Sequence, residues 1–450
     1  MSRPPHRGSG KRRPEPGEIH AAVARFARQG GRLALPTLLF VLVLTLTTSD
    51  PRLPSAPAVA PIASSQLPDV TADVWKSRGH IVHLEPFNDP PFDAPDPGPG
   101  RGWRGVYTSV SGLDGGRREV SGAFFVPRGT PPEDGWPVIS FAHGTTGIGN
   151  DCGPSRQPNL MGYLPIVKSL LQNKFAVAVT DFEGLGESGS HLYLEPRSAA
   201  FNTIDAVRAL REISPTVSTR WVALGYSQGG QAVWAANELN PYYGSDLRLL
   251  GTVALAPAAN LSGGADLIWS RSMTEDQREV FPLLILGLAR YTRDLDATAF
   301  LHGSTETHRR QLSRCQITDG KGSGGAQPEI APVPWQAVVD RLRESNDLRP
   351  ANVDDIATLR DALRRVAVPQ RPLDKPMLVI TGTRDALILS KWVASAVAGS
   401  CALGGEIEFL QVPYADHRNI LWNQSRTVHR WITSRFAGTP APSNCPAQQR

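Results

Sequence analysis

Between the apolar run Trp221–Leu224 and a helical stretch from Gln231 to Leu239 stands Gly225-Tyr226-Ser227-Gln228-Gly229. A strand that turns into a helix over so few residues leaves little room for Cβ atoms where the two meet, and glycine is the residue that tolerates this. In that setting G-x-S-x-G predicts a strained strand-to-helix turn that lifts its serine above the end of a sheet. The chain is thereby tied to an architecture of alternating strands and helices, and the remaining sequence agrees.

Short apolar, β-branched runs alternate with helical patterns. Arg104–Val110 and Glu119–Val126 suit a hairpin around Asp114-Gly115-Gly116. Val138–Ala142, Phe175–Thr180, Trp221–Leu224, Leu249–Leu255, Met377–Ile380 and Ile407–Val412 read as buried strands; Leu160–Gln172, Ala199–Glu212, Gly229–Leu239 and Leu389–Ala398 read as helices. This alternation predicts an α/β fold, a mostly parallel sheet with helices on both faces. After the sixth strand, about 120 positions separate Pro257 from Met377, far more than an ordinary crossover needs. Within that stretch Ile356, Leu359, Leu363 and Val366 have helical spacing, and Phe281-Pro-Leu-Leu-Ile-Leu-Gly-Leu288 is more apolar still. Residues 258–375 are therefore expected to form a large, mainly helical cap over one end of the sheet, set between core segments 81–257 and 376–436.

Residues 1–32 carry eight Lys/Arg and two acids, so the formal charge of +5 belongs to this lead and the rest of the chain is close to neutral. A nucleic-acid partner loses its electrostatic basis. The apolar run after Arg32, about 14 residues, is shorter than the roughly 20 that cross a bilayer. A basic lead with such a run reads as a secretory signal within residues 1–50, with an uncleaved, outward-facing membrane anchor as the alternative. Pro51, Pro54, Pro57, Pro61 and Pro68 mark residues 51–80 as an extended linker, and residues 437–450 read as a loose C-terminal tail. In an exported chain Cys152, Cys315, Cys401 and Cys445 allow three pairings, of which Cys401 with Cys445 and Cys152 with Cys315 is preferred. No C-x-x-C is present, which argues against a zinc or redox site, and no metal is expected.

A serine hydroxyl becomes a nucleophile only when a base takes its proton, and the base needs a carboxylate to fix its tautomer. In folds with this serine turn the partners follow in the order Ser, Asp/Glu, His. Asp385, in Thr381-Gly-Thr-Arg-Asp385, lies just past one strand, and His417, closing Pro413-Tyr-Ala-Asp-His417, just past the next. Both fall at the C-terminal edge where such sheets carry their sites. His80 and His83 lie upstream of the expected sheet, His302 in the insertion and His429 on the last helix, so none competes; Asp416 reads as a loop or capping residue. His143-Gly144-Thr145-Thr146-Gly147 follows its strand where half of an oxyanion hole is expected, with the backbone N–H groups of Thr145 and Gln228 as donors and His143 orienting the loop. Gly184-Leu-Gly186-Glu-Ser-Gly189 satisfies G-x-G-x-x-G, yet no helix opens at its glycines, so it reads as a tight loop rather than a dinucleotide site.

Together these residues resemble the α/β-hydrolase superfamily and, within it, the secretory lipase family. The resemblance rests on A-H-G-T-T-G (142–147), T-D-F-E-G-L-G (180–186) with His191 and Tyr193 after it, I-D-A-V-R-A-L (204–210), G-Y-S-Q-G-G and G-T-R-D, and runs from about Val82 to Phe436. It implies a lipase or esterase whose cap, between nucleophile and acid, shapes an acyl pocket, with disulfides near the oxyanion loop and near the C-terminus. The expectation is a serine ester hydrolase acting through Ser227, Asp385 and His417, without metal or organic cofactor, on a lipid or small-molecule ester. It would be a secreted monomer, with a membrane surface or an N-terminal anchor as a further contact. The alternatives are a serine peptidase or acyltransferase with the same triad, and a non-catalytic, membrane-tethered lipid-binding protein of the same fold.

Overall fold

The computed structural model describes residues 67–89, 92, 98–312, 315 and 335–446. The basic lead, the apolar run and residues 51–66 lie outside the described residues, and with them the signal or anchor. Among the described residues no helix is long and apolar enough to cross a membrane.

Nine strands form one sheet: β1 Ile81–Pro86, β2 Gly100–Val110, β3 Arg117–Pro127, β4 Trp136–Ala142, β5 Ala176–Thr180, β6 Val217–Tyr226, β7 Arg248–Leu255, β8 Met377–Gly382 and β9 Ile407–Val412. Their order is β1-β2-β3-β5-β4-β6-β7-β8-β9. The first three pairings are antiparallel and the five from β5 onward are parallel. This is the α/β-hydrolase fold, as expected.

The continuous apolar runs are explained by burial on both faces. Successive residues of a strand enter opposite cores. Val138, Trp221, Ala223, Ala254 and Val379 pack with helices Pro196–Ile213, Gln228–Tyr243 and Ser390–Ala402. Ile139, Val222, Leu224, Val253 and Ile380 pack with helices Leu164–Gln172 and Ser425–Phe436. The insertion after β7 contains helices Gly264–Ser270, Glu275–Ala289, Gly303–Thr307, Arg309–Leu312, Trp335–Glu344 and Val353–Val366. Ile356, Leu359 and Leu363 of the last, with Phe281, Leu284 and Leu288, join the first core, so the insertion is continuous with the packing of one sheet face.

Several sequence expectations need correction. β1 was not foreseen: its residues are almost all exposed, so Ile81–Pro86 lacks a strand's apolar pattern, and His83 belongs to the sheet edge instead of lying upstream of it. The described part of the expected linker, from Leu67 on, is packed. Trp75 meets Tyr242 and Tyr243 edge-on at 5.5 and 5.4 Å, and the Arg78 guanidinium covers Trp75 while donating to the Tyr243 carbonyl at 2.7 Å. The helix expected from Leu160 begins at Leu164, because Asn159, Leu160 and Met161 adopt left-handed backbone. The tail is docked at Asn444. Asn444 accepts the Phe409 N–H and donates to the Phe409 carbonyl, at 2.9 and 2.8 Å, while its own N–H donates to the Ile407 carbonyl.

Candidate active site

Strand register brings the expected site residues together. Ala142, the last residue of β4, lies opposite Gly225 of β6; Leu255 of β7 lies opposite Tyr226 and Ile380; Gly382 of β8 lies opposite Val412 of β9. The turns that follow these ends therefore open at one edge of the sheet.

Ser227 takes φ 55° and ψ −115°, a conformation L-residues rarely adopt. It is held there by its own backbone: its N–H donates to the Leu255 carbonyl (2.9 Å), and its carbonyl accepts from Ala258 (3.0 Å). The glycines do what the sequence pattern required. A Cβ at Gly225 would lie 2.0 Å from the Gly229 carbonyl oxygen, and one at Gly229 would lie 1.9 Å from that of Ala142.

His417 Nε2 is 3.0 Å from Ser227 Oγ, and His417 Nδ1 is 2.7 Å from Asp385 Oδ2. All three residues are buried. The other carboxylate oxygen of Asp385 accepts the N–H groups of Leu387 (3.0 Å) and Ile388 (2.7 Å). The loop of His417 is steadied by Tyr226, whose hydroxyl donates to the His417 carbonyl at 3.0 Å; burial pushes that phenol well above its usual titration range, so it stays a donor. Asp416 points elsewhere and exchanges hydrogen bonds with Asn419, 2.8 and 3.1 Å, as a turn residue.

The turn after β4 is fixed from three sides. The Gly144 N–H donates to the Tyr163 hydroxyl (3.1 Å), and Thr145 Oγ1 bonds the Tyr193 hydroxyl at 2.7 Å. Buried His143 donates from Nδ1 to the Gly144 carbonyl at 2.6 Å, and burial depresses its basicity, which suits a neutral structural imidazole. Gln228 opens its helix, where backbone N–H groups lack intrahelical partners. Its side chain donates to His191 Nε2 at 2.9 Å while His191 Nδ1 donates to the Glu183 carbonyl at 2.8 Å. Burial pulls His191 down to about 3, so the ring is neutral with its proton on Nδ1.

The glycine-rich segment forms a loop with Gly184, Gly186 and Gly189 at positive φ, and a Cβ at Gly186 would lie 2.0 Å from Ser121 Oγ. It leads the chain from β5 to His191. Asp181, just past β5, also stands at a strand end but does not serve His417: it accepts from Ser121 Oγ (2.6 Å) and from the N–H and hydroxyl of Ser155. Sequence reasoning assigned no role to Asp181, Tyr163 or Tyr226, although Asp181 and Tyr226 stand inside motifs that carry the resemblance. The strand-end rule that found Asp385 applies equally to Asp181, whereas neither tyrosine carries a local signal of its partner.

Cys152 is joined to Cys315 and Cys401 to Cys445. Among the described residues one group, Asp151, Cys152 and Cys315, has metal-ligand proximity, and its two sulfurs are bonded to each other.

Residues 162–299 match the family model described as secretory lipase. The fold is similar to Candida antarctica lipase A in its closed state (TM-score 0.61, 16% identity, 86% of this chain and 89% of that one). It is also similar to the rice cell wall degrading esterase LipA from Xanthomonas oryzae (0.59, 17%, 80% and 96%). A putative hydrolase from Legionella pneumophila is a third neighbour (0.58, 16%, 75% and 93%). No curated protein matches the chain.

Proposed function

We propose that this chain, an α/β-hydrolase of the secretory lipase family, hydrolyses carboxylic esters through an acyl-enzyme on Ser227. The observation that carries the reading is the unbroken hydrogen-bonded series from Asp385 through His417 to Ser227, at 2.7 and 3.0 Å. Ser227 Oγ attacks the ester carbonyl while His417 Nε2 takes its proton; the imidazolium returns that proton to the departing alcohol. Water then repeats the sequence on the acyl-serine and releases the acid. Asp385 holds the imidazole in the tautomer with the proton on Nδ1. The N–H groups of Thr145 and Gln228 receive the oxyanion, and His143, Gly144, Gly225 and Gly229 keep the two turns in place. These side chains and amides supply the chemistry without a metal or organic cofactor.

A lipidic acyl group is favoured by the family match. Action outside the cell is supported by the same match, by the two disulfides and by the basic, then apolar N-terminal sequence. Ser227→Ala should reduce hydrolysis of a p-nitrophenyl ester by roughly 10⁴–10⁶-fold with the fold intact; a variant that keeps most of its activity would remove Ser227 from the mechanism. A rate series from acetate to palmitate esters then assigns the acyl preference. Acetate best and palmitate inert would make this an esterase and not a lipase.

A further inference from the structure

Asp385 is supported from behind by the cap. Its carboxylate rests on the N–H groups of Leu387 and Ile388, so its placement depends on the short loop 386–388. The carbonyls of that loop are bound by the start of the cap helix Glu275–Ala289. Thr274 Oγ1 donates to the Ala386 carbonyl at 2.7 Å, and Gln277 Nε2 to the Leu387 carbonyl at 3.2 Å. Thr274 and Gln277 also lock each other in a capping box: the Gln277 N–H donates to Thr274 Oγ1 (3.2 Å) and the Thr274 N–H to Gln277 Oε1 (3.0 Å). Half a turn on, the Glu279 carboxylate comes within 3.8 Å of Arg418, the neighbour of His417.

The far end of the same helix holds the opposite side of the site. Gly287 lies so close to Tyr193 that a Cβ there would be 2.7 Å from the tyrosine's own Cβ. Just past the helix, the Tyr291 hydroxyl donates to the Tyr193 carbonyl at 2.8 Å, and Arg290 donates to the Ile148 carbonyl beyond the oxyanion turn. Tyr193 in turn holds Thr145.

We infer that helix Glu275–Ala289 is a fixed strut of the active site and not a lid, with Thr274 and Gln277 as positioning residues for Asp385. The inference rests on the proposed triad. Bonds to two consecutive carbonyls fix the peptide planes whose N–H groups grip the carboxylate. Between its ends the helix is anchored by buried Phe281, Leu284 and Leu288, so it transmits a displacement instead of absorbing it. Lifting it would release the acid loop and Tyr193 together, so motion of this helix would undo the site and not open it.

Three variants of Thr274 separate positioning from helix stability. Thr274→Val removes both the cap and the bond to Ala386, and Thr274→Ser keeps both. Thr274→Asp keeps a good N-cap but has no proton for the Ala386 carbonyl. Melting temperature, kcat and KM on a p-nitrophenyl ester, and the rate of fluorophosphonate labelling are measured for each, with Ser227→Ala as the blank. The expected result is a Tm for the Asp variant above that of Thr274→Val, with kcat and labelling rate about three- to tenfold below wild type, unchanged KM, and wild-type values for Thr274→Ser. Wild-type kcat in the Asp variant, losses that follow Tm across all three, or no restoration by serine would each overturn the strut and leave the triad standing. Activity persisting in Ser227→Ala would instead remove the reading beneath it.

Discussion

A methyl group at residue 229 would collide with two carbonyl oxygens at once, those of Ala142 at 1.9 Å and His143 at 2.6 Å. Neither atom belongs to a flexible side chain, so backbone must move, and the backbone in question is the turn that carries Thr145. Gly229→Ala is accordingly expected to cost about 3 kcal/mol or more of stability, the upper end for overpacking, and to lower kcat through the displaced oxyanion turn. Urea unfolding and ester kinetics on the same preparation check both; an unchanged midpoint would mean that the strand-to-turn crossing is looser than its geometry. At this scale the sequence was most legible where chemistry imposes order and spacing. The serine between glycines, and an acid and a histidine each just past a strand, point to the three side chains that the structure places in hydrogen-bond contact. Residues whose role depends on a distant neighbour were not legible. Tyr163 meets Gly144 across 19 positions and Gln277 meets Leu387 across 110, and neither residue type announces such a partner.

Among elements, β4 to β8 could be read from apolar runs because helices cover both their faces, whereas β1 could not because water covers most of it. The C-terminal tail shows the same limit from the other side. Its composition is that of a loose segment, yet Asn444 satisfies both backbone groups of Phe409 much as a neighbouring strand would, beside the edge strand β9. Closing that attachment, the Cys401–Cys445 bridge spans 44 positions, and a loop of this length loses enough unfolded-state entropy to stabilise by about 2–4 kcal/mol. Replacing both cysteines with serine should lower stability by that amount and speed hydrogen exchange at the Phe409 amide in particular. If exchange at Phe409 stayed slow while stability fell, Asn444 alone would be holding the tail, and the bridge would act only on the unfolded chain.

For the whole molecule, two buried groups make stability depend on pH in opposite senses. Glu238 lies within the helix that starts at the nucleophile, and its carboxylate accepts the N–H groups of Gln370 and Arg371 at 3.1–3.3 Å, where the chain leaves the cap for β8. Burial pushes it up to about 8 despite those donors. An unfolded glutamate releases its proton near pH ~4.3. Between there and about 8 the folded state keeps a proton that the unfolded chain has lost, so stability falls as pH rises and levels off above the folded value. His191 works from the acid side. Unfolded imidazole takes a proton below about 6.5, the buried ring only below about 3, so stability falls as pH drops through that interval. From about 6.5 to 8 only Glu238 of this pair is active, and it contributes a slope of up to about 1.4 kcal/mol per pH unit. Glu238→Gln keeps an oxygen for the Gln370 and Arg371 amides but has no proton to lose. Its Tm should match or exceed that of the wild type at pH 8 and decline less between 6.5 and 8. Parallel Tm curves for the two proteins would mean that Glu238 is already ionised in the fold, and that the chain leaving the cap is held by a carboxylate instead of a carboxylic acid.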